Sequence, residues 1–147
     1  MHKQDVTVDI LEIQALKARY VRAADMKDWA ALRTCLADDF RCIVKGAPRT
    51  SANAADTYEV TSADEFVLNA QGMTSQIEAI HQLSLPEITV TEEGTANGIW
   101  VLHDYLIAPH CIFRGWGHYH DAYVRIGGRW KIQSSLVTRM RVEETWL

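Results

Sequence analysis

The sequence predicts an α+β fold: N-terminal helices packed on the concave face of a curved, cone-shaped sheet, antiparallel or mixed. Three observations carry this. Helical periodicity is confined to the first half of the chain. From Ile77 onward the sequence alternates in long strand-like runs. Gly127-Gly128 then joins the last two runs, as two glycines in a hairpin turn can.

In chain order, Asp9-x-x-Glu12 reads as a capping box opening the first helix. Ile10, Ile13, Leu16, Tyr20 and Ala24 form its stripe, with Leu11, Ala18, Val21 and Asp25 at the edge. Asp28 caps a shorter helix whose inner face is Trp29, Leu32 and Leu36. Phe40 to Val44 is a short strand, and residues 46–61 read as a loop or lid. Ser62-x-x-Glu65 opens a third helix through about Met73.

Strands follow. Ile77, Ala79, His81, Leu83 and Leu85 face one way, and the run continues past Pro86 to Thr91, with a bulge at the proline. Ala96 to Ala108 and Phe113 to Ile126 are long strands. In the final run, Arg129 to Val142, Trp130, Ile132, Leu136 and Met140 share one face. The expected order is α-α-β-α-β-β-β-β. Gly72, Gly94 and Gly98 read as turn or helix-end glycines.

The chain has 147 residues, which suits one domain over residues 1–147. Its 48% hydrophobic and 23% charged residues match an ordinary globular protein. A net charge of −4 implies no basic face, which argues against nucleic acid. Arg139 to Arg141 reads as an exposed strand end. No apolar run reaches the roughly 20 residues of a membrane span, and the start lacks the apolar core of a secretory signal. Cys35, Cys42 and Cys111 form no CxxC pair, so reduced cytoplasmic thiols are expected.

His81 is the first candidate for chemistry. It sits inward on an apolar strand face, where burial favours a neutral ring able to act as a general base. The alternative is a core histidine satisfied by a backbone carbonyl. Asp25 is second. A carboxylate near a helix C-terminus faces the negative end of the dipole, and a neighbouring histidine would explain it. A solvated helix end is the alternative. The segment Gly115-Trp-Gly-His-Tyr-His-Asp-Ala-Tyr-Val-Arg125 puts Trp116, His118 and His120 on one face and Tyr119, Asp121 and Tyr123 on the other. One row should line a pocket, with Trp116 suited to its wall. His118 and His120 could hold zinc by spacing, but there is no HExxH and no paired cysteine, so no metal is expected. No GxGxxG, P-loop or GxSxG is present.

Several stretches resemble the SnoaL-like, or nuclear transport factor 2-like, superfamily. These are Tyr20-Val-Arg-Ala-Ala-Asp25, Asp28-Trp29-x-x-Leu32, Asp38-Asp39-Phe40, His81-Gln-Leu-x-Leu-Pro86 and Gly117-His-Tyr-His-Asp-x-Tyr-Val-Arg125 with Gly128-Arg-Trp130-Lys-Ile132. In its scytalone dehydratase and hexachlorocyclohexane dehydrochlorinase members, an Asp at the end of the first helix pairs with a His on the strand after the third helix. That resemblance implies that Asp25 orients His81 and that His81 takes a proton from carbon beside a leaving group. The first strand, Phe40-Arg-Cys-Ile-Val44, lacks the tyrosines of scytalone dehydratase, and its second histidine has no counterpart at Trp116.

The expected function is therefore a cofactor-free lyase acting on a small apolar ring, of polyketide, steroid or terpenoid type. Asp25 and His81 would form the catalytic pair, with Tyr20, Trp116, His118, Tyr119 and His120 around the substrate. An isomerase or cyclase, and a non-catalytic ligand-binding domain, are the alternatives. Apolar residues on both faces of the late strands point to a homodimer or homotrimer packed through the sheet.

Overall fold

A computed structural model describes residues 5–147. The elements are α1 (Val6–Met26), α2 (Trp29–Thr34), β1 (Leu36–Lys45), β2 (Thr57–Val60), α3 (Ala63–Met73), β3 (Glu78–Glu92), β4 (Thr95–Ile107), β5 (Cys111–Ile126) and β6 (Arg129–Trp146). The six strands form one sheet in the order β2-β1-β6-β5-β4-β3. β1 and β6 are parallel and every other pair is antiparallel.

α1 buries Asp9, Ile13, Leu16, Lys17, Tyr20 and Ala23, spacings that fall on one helical face. Its cap is Asp5, not Asp9: Asp5 Oδ1 accepts the Thr7 N–H at 2.9 Å. The helix begins one turn early because Asp9 is needed inside, where its Oδ1 accepts the Trp130 Nε1–H at 3.0 Å. Asp28 and Ser62 do cap α2 and α3, accepting from Ala31 N and Glu65 N. β2 falls inside the stretch read as a loop. Four residues, two of them Thr57 and Glu59, carry little strand signal until the edge of β1 offers them partners.

Strand parity decides what enters the interior, and irregularities in β3 and β6 reset it. In β3, Leu85 adopts φ 46° and the pairing slips between Ser84 and Glu87. Ala79, His81 and Leu83 point inward before the slip, and Ile88 and Val90 after it. Leu85, expected inside, is 81% exposed. In β6, Gln133 is an extra residue opposite Ala122–Tyr123. Trp130 and Ile132 are buried before it, Ser135 and Val137 after it. Leu136 and Met140 therefore leave the face they were expected to share. A third slip follows at Trp116/Gly117. Gly117 is required there, because a Cβ would lie 1.8 Å from the Thr138 carbonyl oxygen. Gly98 is likewise no turn glycine; it lies within β4, under the Tyr123 ring.

Among the described residues, one charged pair is wholly enclosed. Lys17 Nζ lies 2.8 Å from Asp121 Oδ2, with both side chains fully buried. Asp121 also accepts from the Tyr123 hydroxyl at 2.7 Å and Ser135 Oγ at 2.8 Å, and Trp100 Nε1 donates to that tyrosine oxygen. Lys17 Nζ sits 3.6 Å from the centre of the Tyr119 ring. Burial lowers the lysine pKa, against the opposing pull of Asp121. Removing one partner strands the other charge. Lys17→Met is expected to cost about 3–5 kcal/mol by urea denaturation. Lys17→Met combined with Asp121→Asn should recover part of that loss.

Candidate active site

α1 and β3 pack against each other, and this brings Asp25 to His81. Asp25 Oδ1 lies 2.6 Å from His81 Nδ1, and Asp25 Oδ2 accepts the backbone N–H of His81 at 3.0 Å. Both oxygens thus grip one residue, fixing the ring at its base and its edge. The unfavourable place of a carboxylate at a helix C-terminus is offset by these two bonds. With Nδ1–H donated to the carboxylate, Nε2 carries the lone pair and is the atom left for chemistry. Both side chains are about one-fifth exposed, so the pair is sheltered but reachable.

His81 stands in the wall of a cavity of about 170 Å³ between the helices and the sheet. The walls are chiefly apolar, with Phe66, Leu102 and Val137 among them, and include the rings of Tyr20 and Tyr119. These two rings meet edge to face at 6.4 Å. Burial raises both phenols well above the ordinary tyrosine value. At neutral pH they are therefore hydrogen-bond donors, not phenolates. Cys42, also in the wall, is pushed by burial up to about 12 and is a neutral thiol.

Two wall residues escaped the sequence reading. Asp104 and Arg139 form a forked ion pair, with Nη1–Oδ1 at 2.6 Å and Nη2–Oδ2 at 2.9 Å. Their side chains are 6% and 8% exposed. Arg139 was expected at an exposed strand end; the Gln133 bulge turns it inward instead. Arg139 Nε also donates to the Gly46 carbonyl. The pair lies over Gly115, where a Cβ would come within 2.5 Å of Arg139 Nη1 and 2.6 Å of Asp104 Oδ1. Gly115→Ala should therefore cost about 1–3 kcal/mol in a thermal unfolding comparison. The same change in an Arg139→Met background should cost much less, since the crowded group is gone.

Of the expected substrate-lining residues, Tyr20 and Tyr119 face the cavity. Trp116, His118 and His120 do not; they project from the opposite face of the sheet. Alternation separated the two rows of β5 correctly but could not say which was inward. The inward row is Phe113, Gly115, Gly117, Tyr119, Asp121 and Tyr123, whose two glycines make room for the ion pair and the bulge. On the outer face Trp116 stacks on His103 at 5.0 Å, and His120 Nε2 bonds Thr138 Oγ1 at 3.0 Å. Among the described residues, no three His, Cys, Asp or Glu side chains gather as a metal-binding group.

N-terminal helices packed on a six-stranded mixed sheet around such a cavity define the nuclear transport factor 2-like class. Within it, the SnoaL-like domain profile matches residues 5–135, and the chain belongs to that family. Solved structures agree in fold. A Novosphingobium aromaticivorans protein named provisionally for scytalone dehydratase superposes with TM-score 0.77 at 20% identity, over 93% of this chain and 87% of that one. A hexachlorocyclohexane dehydrochlorinase from Novosphingobium barchaimii gives 0.73 at 18% identity, over 96% and 91%. A second Novosphingobium aromaticivorans protein, named provisionally as an aromatic ring hydroxylase, gives 0.80 at 16%, over 99% and 96%.

Proposed function

We propose that this protein is a cofactor-free lyase that removes water, or a comparable leaving group, from a small neutral ring compound. The observation that carries the reading is the two-point grip of Asp25 on His81 at the edge of an apolar cavity. His81 Nε2 takes a proton from carbon next to an activating carbonyl. The resulting imidazolium stands against the Asp25 carboxylate, a pairing worth more in a dry site than in water. The C–H electron pair moves through an enolate and expels the leaving oxygen, which takes the proton held on His81 Nε2 and departs as water, leaving the imidazole neutral again. Arg139 and the phenols of Tyr20 and Tyr119 supply donors in the same wall for the developing negative oxygen. The names of two fold neighbours, one a dehydrochlorinase and one provisionally a dehydratase, are consistent with this reading.

A ligand-binding domain without catalysis predicts that Asp25 and His81 stand apart, or that the cavity is filled. Their 2.6 Å contact beside open space favours the enzymatic reading. An isomerase or cyclase would use the same base and return the proton to another carbon.

The test separates proton removal from elimination. A panel of neutral cyclic β-hydroxy ketones is incubated in D₂O. Exchange of the proton beside the carbonyl is followed by NMR, and loss of water by mass spectrometry. The wild type should do both. His81→Ala should lose about 10²–10⁴-fold in exchange rate, the usual contribution of a general base, while the fold stays intact by circular dichroism. Asp25→Asn should lose less, since the ring can still act as a poorer base. Equal rates in wild type and His81→Ala would remove the mechanism.

We also propose that the chain acts as a homodimer or homotrimer packed through the outer sheet face. Ile80, Ile99 and Val101 are each about 40% exposed there, near the Trp116–His103 stack. Light scattering at micromolar concentration should return two or three times the 16.7 kDa chain mass. A monomer mass would contradict it.

A further inference from the structure

The cavity beside His81 has a neighbour. A second hollow of about 270 Å³ lies next to it. The two share Pro48, Tyr58, Met73, Thr74 and Leu106, which form a collar between an inner and an outer compartment. The outer one is enclosed by the 46–56 segment, the end of α3 and the β4–β5 turn, with Ala54, Ile77, Ala108 and Phe113 in its lining. Its polar end is mostly paired within the protein, although the buried Arg49 Nε has no hydrogen-bond partner among the described residues. Arg49 Nη2 pairs with both Glu144 oxygens at 2.9 and 3.1 Å, and Nη1 donates to the Ala52 carbonyl at 2.7 Å. The His110 Nε2–H contacts the Arg49 carbonyl at 3.2 Å.

We infer that the outer compartment is a subsite for a neutral apolar chain carried by the ring compound that occupies the inner one. This rests on the proposed function for the ring's place beside His81 and names the substrate class more closely. Two features select the chain's chemistry. The lining gains from burying methylenes, each adding about fourfold in affinity. The Arg49 charge is answered by Glu144, so an anionic chain end would be taken out of water without a cation to receive it. Chain length is therefore rewarded and terminal charge is not. The collar sets where the ring stops and the chain begins.

The test uses binding, read by naphthol fluorescence, on the intact protein. The probes are naphthol, its ethyl and butyl derivatives on the ring carbon far from the hydroxyl, and the butyl derivative ending in a carboxylate. Affinity should rise from naphthol to butylnaphthol by up to about 250-fold, about fourfold for each of the four carbons, and the carboxylate should lose most of that gain. Ala108→Leu narrows the outer compartment and should abolish the gain while leaving naphthol itself unchanged. Ala54→Trp approaches the same space from the loop side and serves if the buried Ala108 site does not tolerate the larger side chain. Equal affinities along the series, equal affinity for the charged probe, or a gain that survives both substitutions would overturn the inference. Such a result would leave the His81 exchange experiment untouched, and a failure of that experiment would not alter this binding series.

Discussion

Asp25 makes two hydrogen bonds to a single residue 56 positions away, one to the imidazole and one to its backbone N–H. The site depends on that grip. A carboxylate holding only the ring would leave the imidazole free to swing about its side-chain torsions. Adding the backbone bond ties the end of α1 to the course of β3, so ring and strand are positioned together. The Leu85 slip then turns the strand after Leu83, and the inward run at this end of β3 stops two residues beyond His81. What reaches the cavity is one nitrogen of known lone-pair direction, backed by a fixed negative charge.

The interior around that nitrogen is built from charges that answer one another. Lys17 faces Asp121 beneath Tyr119, and Arg139 faces Asp104 over Gly115. Each pair is drawn from different elements: α1 with β5, and β6 with β4. Such pairs add little to net stability, because desolvation offsets most of the attraction. Their value is geometric. A strand shifted by one residue would leave two unpaired charges inside, so the pairs favour the observed register over its neighbours.

Much of this was legible in the sequence, and the reasons for the failures are particular. Period and caps found α2, α3 and the long strands, and the dipole argument singled out Asp25. The resemblance to SnoaL-like domains joined that residue to His81. Arg139 was lost because alternation was carried through Gln133 as though β6 were regular, and a bulge leaves no mark in a period of two. Trp116, His118 and His120 were placed at the site because aromatic and imidazole side chains look functional. The glycines beside them, Gly115 and Gly117, were the better signal. A glycine within a long strand marks close approach of something else, here an ion pair and a carbonyl oxygen.

The same glycines bear on what the cavity can accept. Because Gly115 lets Asp104 lie against Arg139, the guanidinium enters the wall with its charge already balanced. Lys17 is balanced in turn by Asp121. A charged ligand entering this space would give up its hydration for partners already engaged, which is costly at any depth of burial. A neutral ligand meets no such penalty. Charge then arises during proton transfer itself, as a positive imidazole facing Asp25 and a negative oxygen among Arg139 and two neutral phenols. A site that is balanced before the reaction, and complementary to separated charge during it, stabilises the transition state more than the bound substrate. That difference is what accelerates a proton abstraction.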